Sequence, residues 1–350
     1  MKAQLSIEIG FDNIRACVAL GKNTQPVPLG SGASPYTFAP IAVKTDSGYI
    51  FGEVAKLCAV SAADTTVFLY DYLSQNIVPR EALVSLLDYV KTRTEEIYNV
   101  EVDSIALITP PYFKDLVQAR FLDSCINAVA NKIEVRNSMV AFSRSNLNIN
   151  VGERVLFIDF RDNPSHMSLL SRTDRSYESI GSLVVDDFSS SDCQIFVEDA
   201  ILSLFDPDLF AAGEIVAAWI QGEIASKVSQ DAVAQLLAGK DVAYEAPFTV
   251  DTVAITQADF QRWLLPKIDN LCVRLLGFVT ESGLTLSNIS RIVLLGDFFQ
   301  SRLVRARIER YIAGYNQQIK CSYFSAPMDQ WKMCKSVLIN NLNSRCALEL

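Results

Sequence analysis

The stretch RVLFIDFRDNPSHMSLL, from Arg154 to Leu170, decides the fold of this chain. An apolar strand ends in Asp159, a polar turn follows, and a second apolar run begins at Met167. Two apolar runs joined by a short polar turn are typical of a β-hairpin. The pattern therefore predicts a hairpin that carries one acidic residue at its tip.

A second stretch near the N-terminus repeats this plan. The sequence from Leu5 to Leu20 is LSIEIGFDNIRACVAL, in which Glu8 takes the place of the acid and residues 10–13 form the turn. Each of the two stretches is followed by its own pattern of strands and helices. A plan that occurs twice in one chain indicates a duplicated α/β protein with two lobes.

Length and composition indicate an ordinary globular protein. Of its 350 residues, 50% are hydrophobic and 20% are charged, which is enough apolar material for a large core divided over two lobes. The formal net charge is −9. Nucleic acids and anionic membranes both attract basic surfaces, so we expect neither as the main partner.

The eight cysteines are scattered along the chain, without a C-x-x-C pair or a histidine cluster. This spacing supports neither a metal site nor a redox motif. Most of the cysteines have apolar neighbours and are predicted to be buried thiols in a reducing compartment. The N-terminus runs directly into the first strand, and no window approaches about 18 uninterrupted apolar residues, so we expect a cytoplasmic protein.

The hairpin at Asp159 resembles the second phosphate hairpin of the DnaK-type (heat-shock 70) chaperones, which has the pattern D-L-G-G-G-T-x-D. Without gaps, Asp159 falls on the first acid, residues 161–164 on the G-G-G-T run, and His166 on the second acid. His166 is the only histidine, and we predict a hydrogen-bonded structural role for it. The resemblance implies the two-lobed actin-like ATPase (ribonuclease H-like) fold, in which duplicated mixed β-sheets flanked by helices surround a central cleft.

The resemblance covers nearly the whole chain and predicts its division into lobes. Lobe I is expected at residues 1–150, with a closing helix within 325–350, and lobe II at residues 151–324. A helix from Gln257 to Glu281, capped by Thr256, resembles a segment of the family that begins I-T-R-A-R-F. The β-rich substrate-binding domain of the chaperones has no counterpart in this sequence, so no module for holding peptides is visible.

Shorter patterns in lobe I predict local structure. The run from Thr37 to Val43 is expected to form a strand, and Pro79 to begin a helix. Apolar side chains recur in this helix at the spacing of one face, which predicts that they pack on the core: Leu83, Leu86, Leu87, Val90 and Ile97.

The catalytic chemistry of the family is degenerate in this sequence. The register places Asp71 on the catalytic lysine and Asn137 on a glutamate that helps to hold the waters of magnesium. An anion in place of a cation would repel a triphosphate. Val184 and Val185 replace two glycines that approach phosphate, and Pro164 has no N–H to donate to an anion.

The stretch RIVLLGDFFQ, from Arg291 to Gln300, resembles the adenosine-binding strand and turn I-V-L-V-G-G-S-T-R. Gly296 is retained, Asp297 replaces the second glycine, and Phe298 and Phe299 replace small hydroxyl residues. In the family the glycines let adenine and ribose lie on the backbone. The two phenylalanines either fill this pocket or turn away into the core, and both alternatives disfavour an ordinary adenosine pose.

These substitutions favour a pseudo-ATPase, without catalytic residues or an expected cofactor, that serves an unidentified protein partner as an interaction or chaperone-related module. The alternative is an ATP-binding heat-shock 70-like protein that keeps nucleotide-driven lobe closure, with ATP and Mg²⁺ as cofactors and weak or no hydrolysis. In it Arg161 would replace the lost cation. A third hypothesis, a filament former or a sugar kinase, lacks a sugar-recognition motif. The residues that survive to contact nucleotide would be Glu8, Gly10, Asp159, Arg161, Glu223, Lys227 and Gly296.

Overall fold

The chain is a mixed α/β protein in two compact units. The computed structural model describes residues 2–10, 12–30, 35–36, 38–59, 66–69, 79–111, 116–186, 188–202, 229–245, 252–326, 329 and 331–339. The residues of the sequence predictions that lie outside these ranges include Thr37, Asp71, Glu223 and Lys227. The first unit comprises Met1–Glu153, Leu170–Ser182 and Met328–Leu350, and the second comprises Arg154–Leu169 and Leu183–Pro327.

The N-terminal part of the chain supplies eight strands and four helices to the described structure. They are β1 (Lys2–Ile9), β2 (Ile14–Leu20), β3 (Asn23–Pro26), β4 (Ile41–Thr45), β5 (Gly48–Phe51), α1 (Gly52–Ala59), β6 (Thr66–Phe68), α2 (Arg80–Tyr98), β7 (Glu101–Thr109), α3 (Leu116–Asn127), β8 (Asn131–Asn137) and α4 (Ser138–Asn146).

The remaining described elements begin with the hairpin at Asp159. They are β9 (Arg154–Asp159), β10 (Ser165–Arg172), β11 (Tyr177–Val185), α5 (Ser190–Leu202), α6 (Ser229–Leu237), β12 (Val242–Glu245), β13 (Thr252–Ile255), α7 (Gln257–Glu281), β14 (Arg291–Leu295), α8 (Arg302–Ala313) and β15 (Lys320–Phe324). A further helix, α9, covers residues 332–339.

The two main sheets have equivalent strand orders. The orders are β3-β2-β1-β7-β8 and β11-β10-β9-β14-β15. In each sheet the first strand in the chain has the next two strands on one side, and the last two strands of the sheet on its other side. β1 is antiparallel to β2 and parallel to β7, and β14 is parallel to both β9 and β15. The hairpins predicted from the sequence therefore supply the first two strands of each sheet.

Each unit has its own apolar core. In the first unit, alternate residues of β1 and one face of α2 are buried together, including Leu5, Ile7, Leu83 and Leu86. Alternation follows from the two-residue period of a strand, whose successive side chains point to opposite faces. Ile97, which the sequence placed on this face of α2, is 36% exposed because it lies in the last turn of the helix.

The strand predicted from Thr37 to Val43 is wrong at residues 38–40, because β4 begins only at Ile41. Pro40 has no N–H for a ladder hydrogen bond, which explains why the strand does not extend towards the N-terminus. The carbonyl oxygen of Phe38 instead accepts a hydrogen bond from the amide of Ile14, at 2.8 Å. The loop before β4 is thereby attached to β2.

The predicted helix from Gln257 to Glu281 is confirmed with both of its bounds. Thr256 is its N-cap, and the Thr256 hydroxyl accepts a hydrogen bond from the amide of Asp259 at 3.2 Å. Its buried face packs in the core of the second unit through residues that include Phe260 and Leu264. Within the described ranges, neither this helix nor any other combines the length and hydrophobicity that a membrane crossing requires.

Candidate functional site

Asp159 lies at the end of β9 and is buried. Leu156 and Ile158 of the same strand point into the core of the second unit, so Asp159 points to the opposite face of the sheet. Its side chain is only 2% exposed. A carboxylate that is removed from water is stable only when it is paired and hydrogen-bonded.

The partner of Asp159 is Arg161, two residues further along the turn. The Arg161 Nε donates to Oδ1 of Asp159 at 3.0 Å and to Oδ2 at 3.2 Å, and its Nη2 donates to Oδ2 at 2.8 Å. The backbone amide of Arg161 also donates to Oδ1, at 3.0 Å. These contacts use the lone pairs of both carboxylate oxygens in a bidentate, charge-assisted pair.

His166 lies beside this pair. Its Nε2 lies 3.5 Å from Oδ2 of Asp159, and the side chain is mostly buried. Burial alone would raise the pKa of Asp159, but the Arg161 guanidinium, the nearby His166 and the hydrogen bonds from Arg161 together hold this pKa below its ordinary value. Asp159 is therefore an ionised carboxylate whose charge is balanced inside the hairpin.

The turn itself differs from a phosphate cradle in the use of its N–H groups. The amide of Phe160 donates to the carbonyl oxygen of Leu295 at 2.8 Å, and the amide of Arg161 donates to Asp159. Pro164, which follows a cis peptide bond, has no N–H. A cradle needs successive amides that face an anion, whereas these amides have partners within the protein.

Gly296 lies beside this turn for a packing reason. It follows β14 with a φ of 116°, and a Cβ at this position would lie 2.8 Å from the carbonyl oxygen of Phe160 and 3.2 Å from the nitrogen of Arg161. A side chain is therefore excluded by both the backbone conformation and the close approach of the turn. The retained glycine has a structural explanation that requires no nucleotide.

Phe298 and Phe299 turn into the core of the second unit, which settles the alternatives left open by the sequence. Both are almost completely buried. Their rings pack on Phe160, at centroid distances of 5.2 Å for Phe298 and 5.4 Å for Phe299. Phe188 joins the same cluster at 5.3 Å from Phe298. The turn that resembles the adenosine site is thus fixed by aromatic packing.

Glu8 and Gly10 belong to the first unit, whereas Asp159, Arg161 and Gly296 belong to the second. Glu8 is buried, and its partner across the β1–β2 ladder is the buried Arg15. The amide of Gly10 donates to the carbonyl oxygen of Asn13 at 3.0 Å and closes the turn of the first hairpin. Glu8 thus faces a cation on the neighbouring strand, while Asp159 is paired within its own turn.

Asn137 is the N-cap of α4, a role that the comparison with the chaperone pattern missed. Its Oδ1 accepts hydrogen bonds from the amides of Met139 at 2.9 Å and Val140 at 3.2 Å, and its Nδ2 donates to the carbonyl oxygen of Pro111. The signal was present in the sequence, since an asparagine immediately before a helical pattern is a common cap.

Val184 and Val185 lie within β11, where the family has glycines. Val185 is buried in the core of the second unit. Arg274 of α7 donates to the carbonyl oxygen of Val184 at 3.4 Å and to the carboxylate of Asp186 at 3.1 Å. The end of β11 is therefore held by a side chain of α7.

The donor set around Asp159 does not fit a magnesium ion, because Arg161 uses the oxygens that would hold the ion or its waters. In the part of the chain that the structure describes, no group of three or more His, Cys, Asp or Glu residues is arranged to hold a metal ion. Glu223 and Lys227 lie outside the described residues. No protein-family model and no curated protein matches this chain.

Proposed function

We propose that this chain is a two-lobed protein of the actin-like fold whose nucleotide site is degenerate. It is a pseudo-ATPase that acts as an interaction or chaperone-related module for a protein partner. The observation that carries the proposal is the buried pair of Arg161 and Asp159, in which the acid of the second hairpin is neutralised by its own turn.

This pair opposes binding of a magnesium nucleotide energetically. For Asp159 to hold magnesium waters, Arg161 would have to leave its carboxylate. Separating the partners of a buried ion pair costs about 3–5 kcal/mol. Since about 1.4 kcal/mol corresponds to a factor of ten, this cost alone weakens binding by roughly 100- to 4,000-fold.

The surroundings of the pair support the same proposal. Phe298 and Phe299, in the turn that resembles the adenosine site, pack in the core. The backbone of Phe160 lies directly against Gly296. The equivalent orders of the two main sheets support the actin-like fold, because a duplicated α/β plan requires the same order twice.

The test is isothermal titration of Mg-ATP and Mg-ADP into the full chain, with thermal unfolding at millimolar nucleotide as a second readout. We expect no binding heat and no rise in melting temperature, because a ligand of the folded state must raise it. The Arg307→Ala variant, at an exposed arginine, is a matched control. The Arg161→Ala variant tests whether the pair of Arg161 and Asp159 is what prevents nucleotide binding. Micromolar binding to the wild-type protein would contradict the proposal and favour the ATP-binding alternative.

A further inference from the structure

The sheet of the first unit buries an unusual polar face. Alternate residues of β1 that do not enter the apolar core are Gln4, Ser6 and Glu8, and all three are buried. On β2 the equivalent face carries Arg15 and Cys17, which are also buried. A buried polar face needs hydrogen-bonding partners from the element that covers it.

Helix α9 supplies such partners. Ser6 Oγ lies 2.9 Å from the carbonyl oxygen of Cys334 and 3.4 Å from that of Cys17, so that one hydroxyl contacts the backbone of both cysteines. The thiol of Cys334 donates to the carbonyl oxygen of Arg15 at 3.5 Å. These contacts place Cys334 directly over the Arg15–Cys17 segment of β2.

A second set of hydrogen bonds holds α9 from the side of α4. Asn146 Nδ2 donates to the hydroxyl of Ser336 at 2.8 Å, and the Ser145 hydroxyl donates to the carbonyl oxygen of Ser336 at 3.2 Å. The position of Cys334 is therefore fixed by neighbours on both sides.

Cys17 and Cys334 therefore meet at the Ser6 hydroxyl, on the buried polar face of the sheet. Both cysteines are free and fully buried. Burial, followed by the contact with Cys17, raises the pKa of the Cys334 thiol well above its ordinary value. Because the thiolate is the reactive form, the reduced pair is stable in the closed structure and reacts only when it is opened and deprotonated.

We propose that Cys17 and Cys334 form a redox-sensitive latch, in which oxidation by a hydroperoxide joins them in a disulfide and fixes α9 to the sheet of the first unit. One thiolate attacks the O–O bond and becomes a sulfenic acid, and the alcohol, or water for hydrogen peroxide, departs. The second thiolate then attacks the sulfenic sulfur and releases water. In balance, two thiols and one hydroperoxide give one disulfide, one alcohol and one water.

The proposal predicts how oxidation changes the opening of α9 and how the rate of oxidation depends on pH. In the reduced form α9 is held only by hydrogen bonds and packing, so it leaves the sheet by local opening. In the oxidised form a covalent bond opposes that opening. Since opening and deprotonation precede the reaction, oxidation is slow near neutral pH and accelerates as the pH rises.

The experiment treats the full wild-type chain with hydrogen peroxide under native conditions and maps its disulfides by mass spectrometry of an unreduced digest. We expect a peptide pair linked through Cys17 and Cys334 as the principal disulfide. Amide hydrogen exchange within residues 332–339 should slow by about tenfold or more on oxidation and recover after reduction. Cys17→Ala and Cys334→Ala should abolish the slowing, whereas the control Cys125→Ala, also a buried thiol of the first unit, should keep it.

Three results would overturn the latch, and all of them are measured on the wild-type chain. One is recovery of Cys17 and Cys334 as free thiols after the part-exposed Cys58 and Cys321 have been oxidised. Another is a Cys17–Cys334 linkage that arises only in urea. The third is a native linkage that leaves hydrogen exchange in α9 unchanged.

Discussion

Two arginine–aspartate pairs in the second unit share one geometry and differ in their surroundings. In the turn after β9, Arg161 contacts both oxygens of Asp159, and the two side chains are 5% and 2% exposed. Between α7 and α8, Arg307 Nε donates to Oδ1 of Asp269 at 2.6 Å and Nη2 donates to Oδ2 at 2.7 Å, while the side chains are 38% and 44% exposed.

The comparison shows that burial gives the Asp159 pair its importance. Charges interact more strongly where water is excluded, and a buried charge that loses its partner is costly. An exposed pair with the same contacts is screened by water and ions and contributes little. Asp159 is thus paired with Arg161, and a ligand that binds Asp159 must offset the free energy that is lost when this pair breaks.

The largest expected effect is that of Asp159→Asn. The amide preserves the shape of the side chain but leaves the Arg161 charge buried without its counter-charge, so the free energy of unfolding should fall by about 3–5 kcal/mol. Urea unfolding followed by circular dichroism measures the loss. Asp269→Asn is the matched control and should lose only a small fraction of that amount, whereas equal losses would break the comparison.

A smaller loss of stability is expected when the backbone next to the buried pair is disturbed and the charges of the pair are unchanged. Gly296→Ala places a methyl group against the Phe160 carbonyl at a φ of 116°, which should cost about 1–3 kcal/mol. Gly277→Ala, inside α7 where a Cβ meets no atom within 4 Å apart from its own helix backbone and chain neighbours, should instead stabilise the protein by about 0.5–1 kcal/mol. Urea unfolding measures both changes in the free energy of unfolding. Changes of opposite sign support the close approach of Phe160 to Gly296, and a Gly296→Ala variant as stable as the wild type contradicts it.

At acidic pH the difference in the free energy of unfolding between the wild type and Asp159→Asn should become smaller. The pKa of Asp159 is lowered in the folded state, so its contribution is complete above the unfolded value of about 3.9 and is lost as the pH falls through the folded pKa. The stabilities of the two proteins should therefore converge below about pH 4. Unfolding curves from pH 7 to pH 2 measure this, and a constant gap would show that Asp159 titrates normally.

Salt should produce the smallest effect and separate the two pairs. Raising sodium chloride from about 0.05 M to 1 M shortens the Debye length to about 3 Å and screens exposed charges. The small difference between wild type and Asp269→Asn should disappear, while the loss caused by Asp159→Asn should persist. A salt-sensitive Asp159→Asn difference would indicate that water and ions reach the hairpin.

The sequence predicted those parts of the fold that local patterns determine. The helix from Gln257 to Glu281 was located from its Thr256 cap and apolar spacing, because both signals are local. The strands of the two hairpins followed from their apolar runs and short turns. The strand around Val43 begins later than its apolar run predicts, because Pro40 has no N–H for the ladder.

The site could be predicted only in part, because its decisive contacts are tertiary. The sequence identified Phe298 and Phe299 as incompatible with an ordinary adenosine pose but could not choose between pocket and core, since Phe160 and Phe188 approach them only in the fold. Motif spacing likewise cannot detect a thiol pair as distant in sequence as Cys17 and Cys334.

The most direct test of the central claim is the titration of Asp159 itself. In protein labelled with ¹³C at the aspartate carboxyl groups, the resonance of Asp159 is assigned by its loss in Asp159→Asn and followed with pH, with and without millimolar Mg-ATP. We predict a pKa below the ordinary aspartate value and no response to Mg-ATP, since Arg161 holds the carboxylate. An ordinary or raised pKa, or a resonance that moves when Mg-ATP is added, would contradict the account.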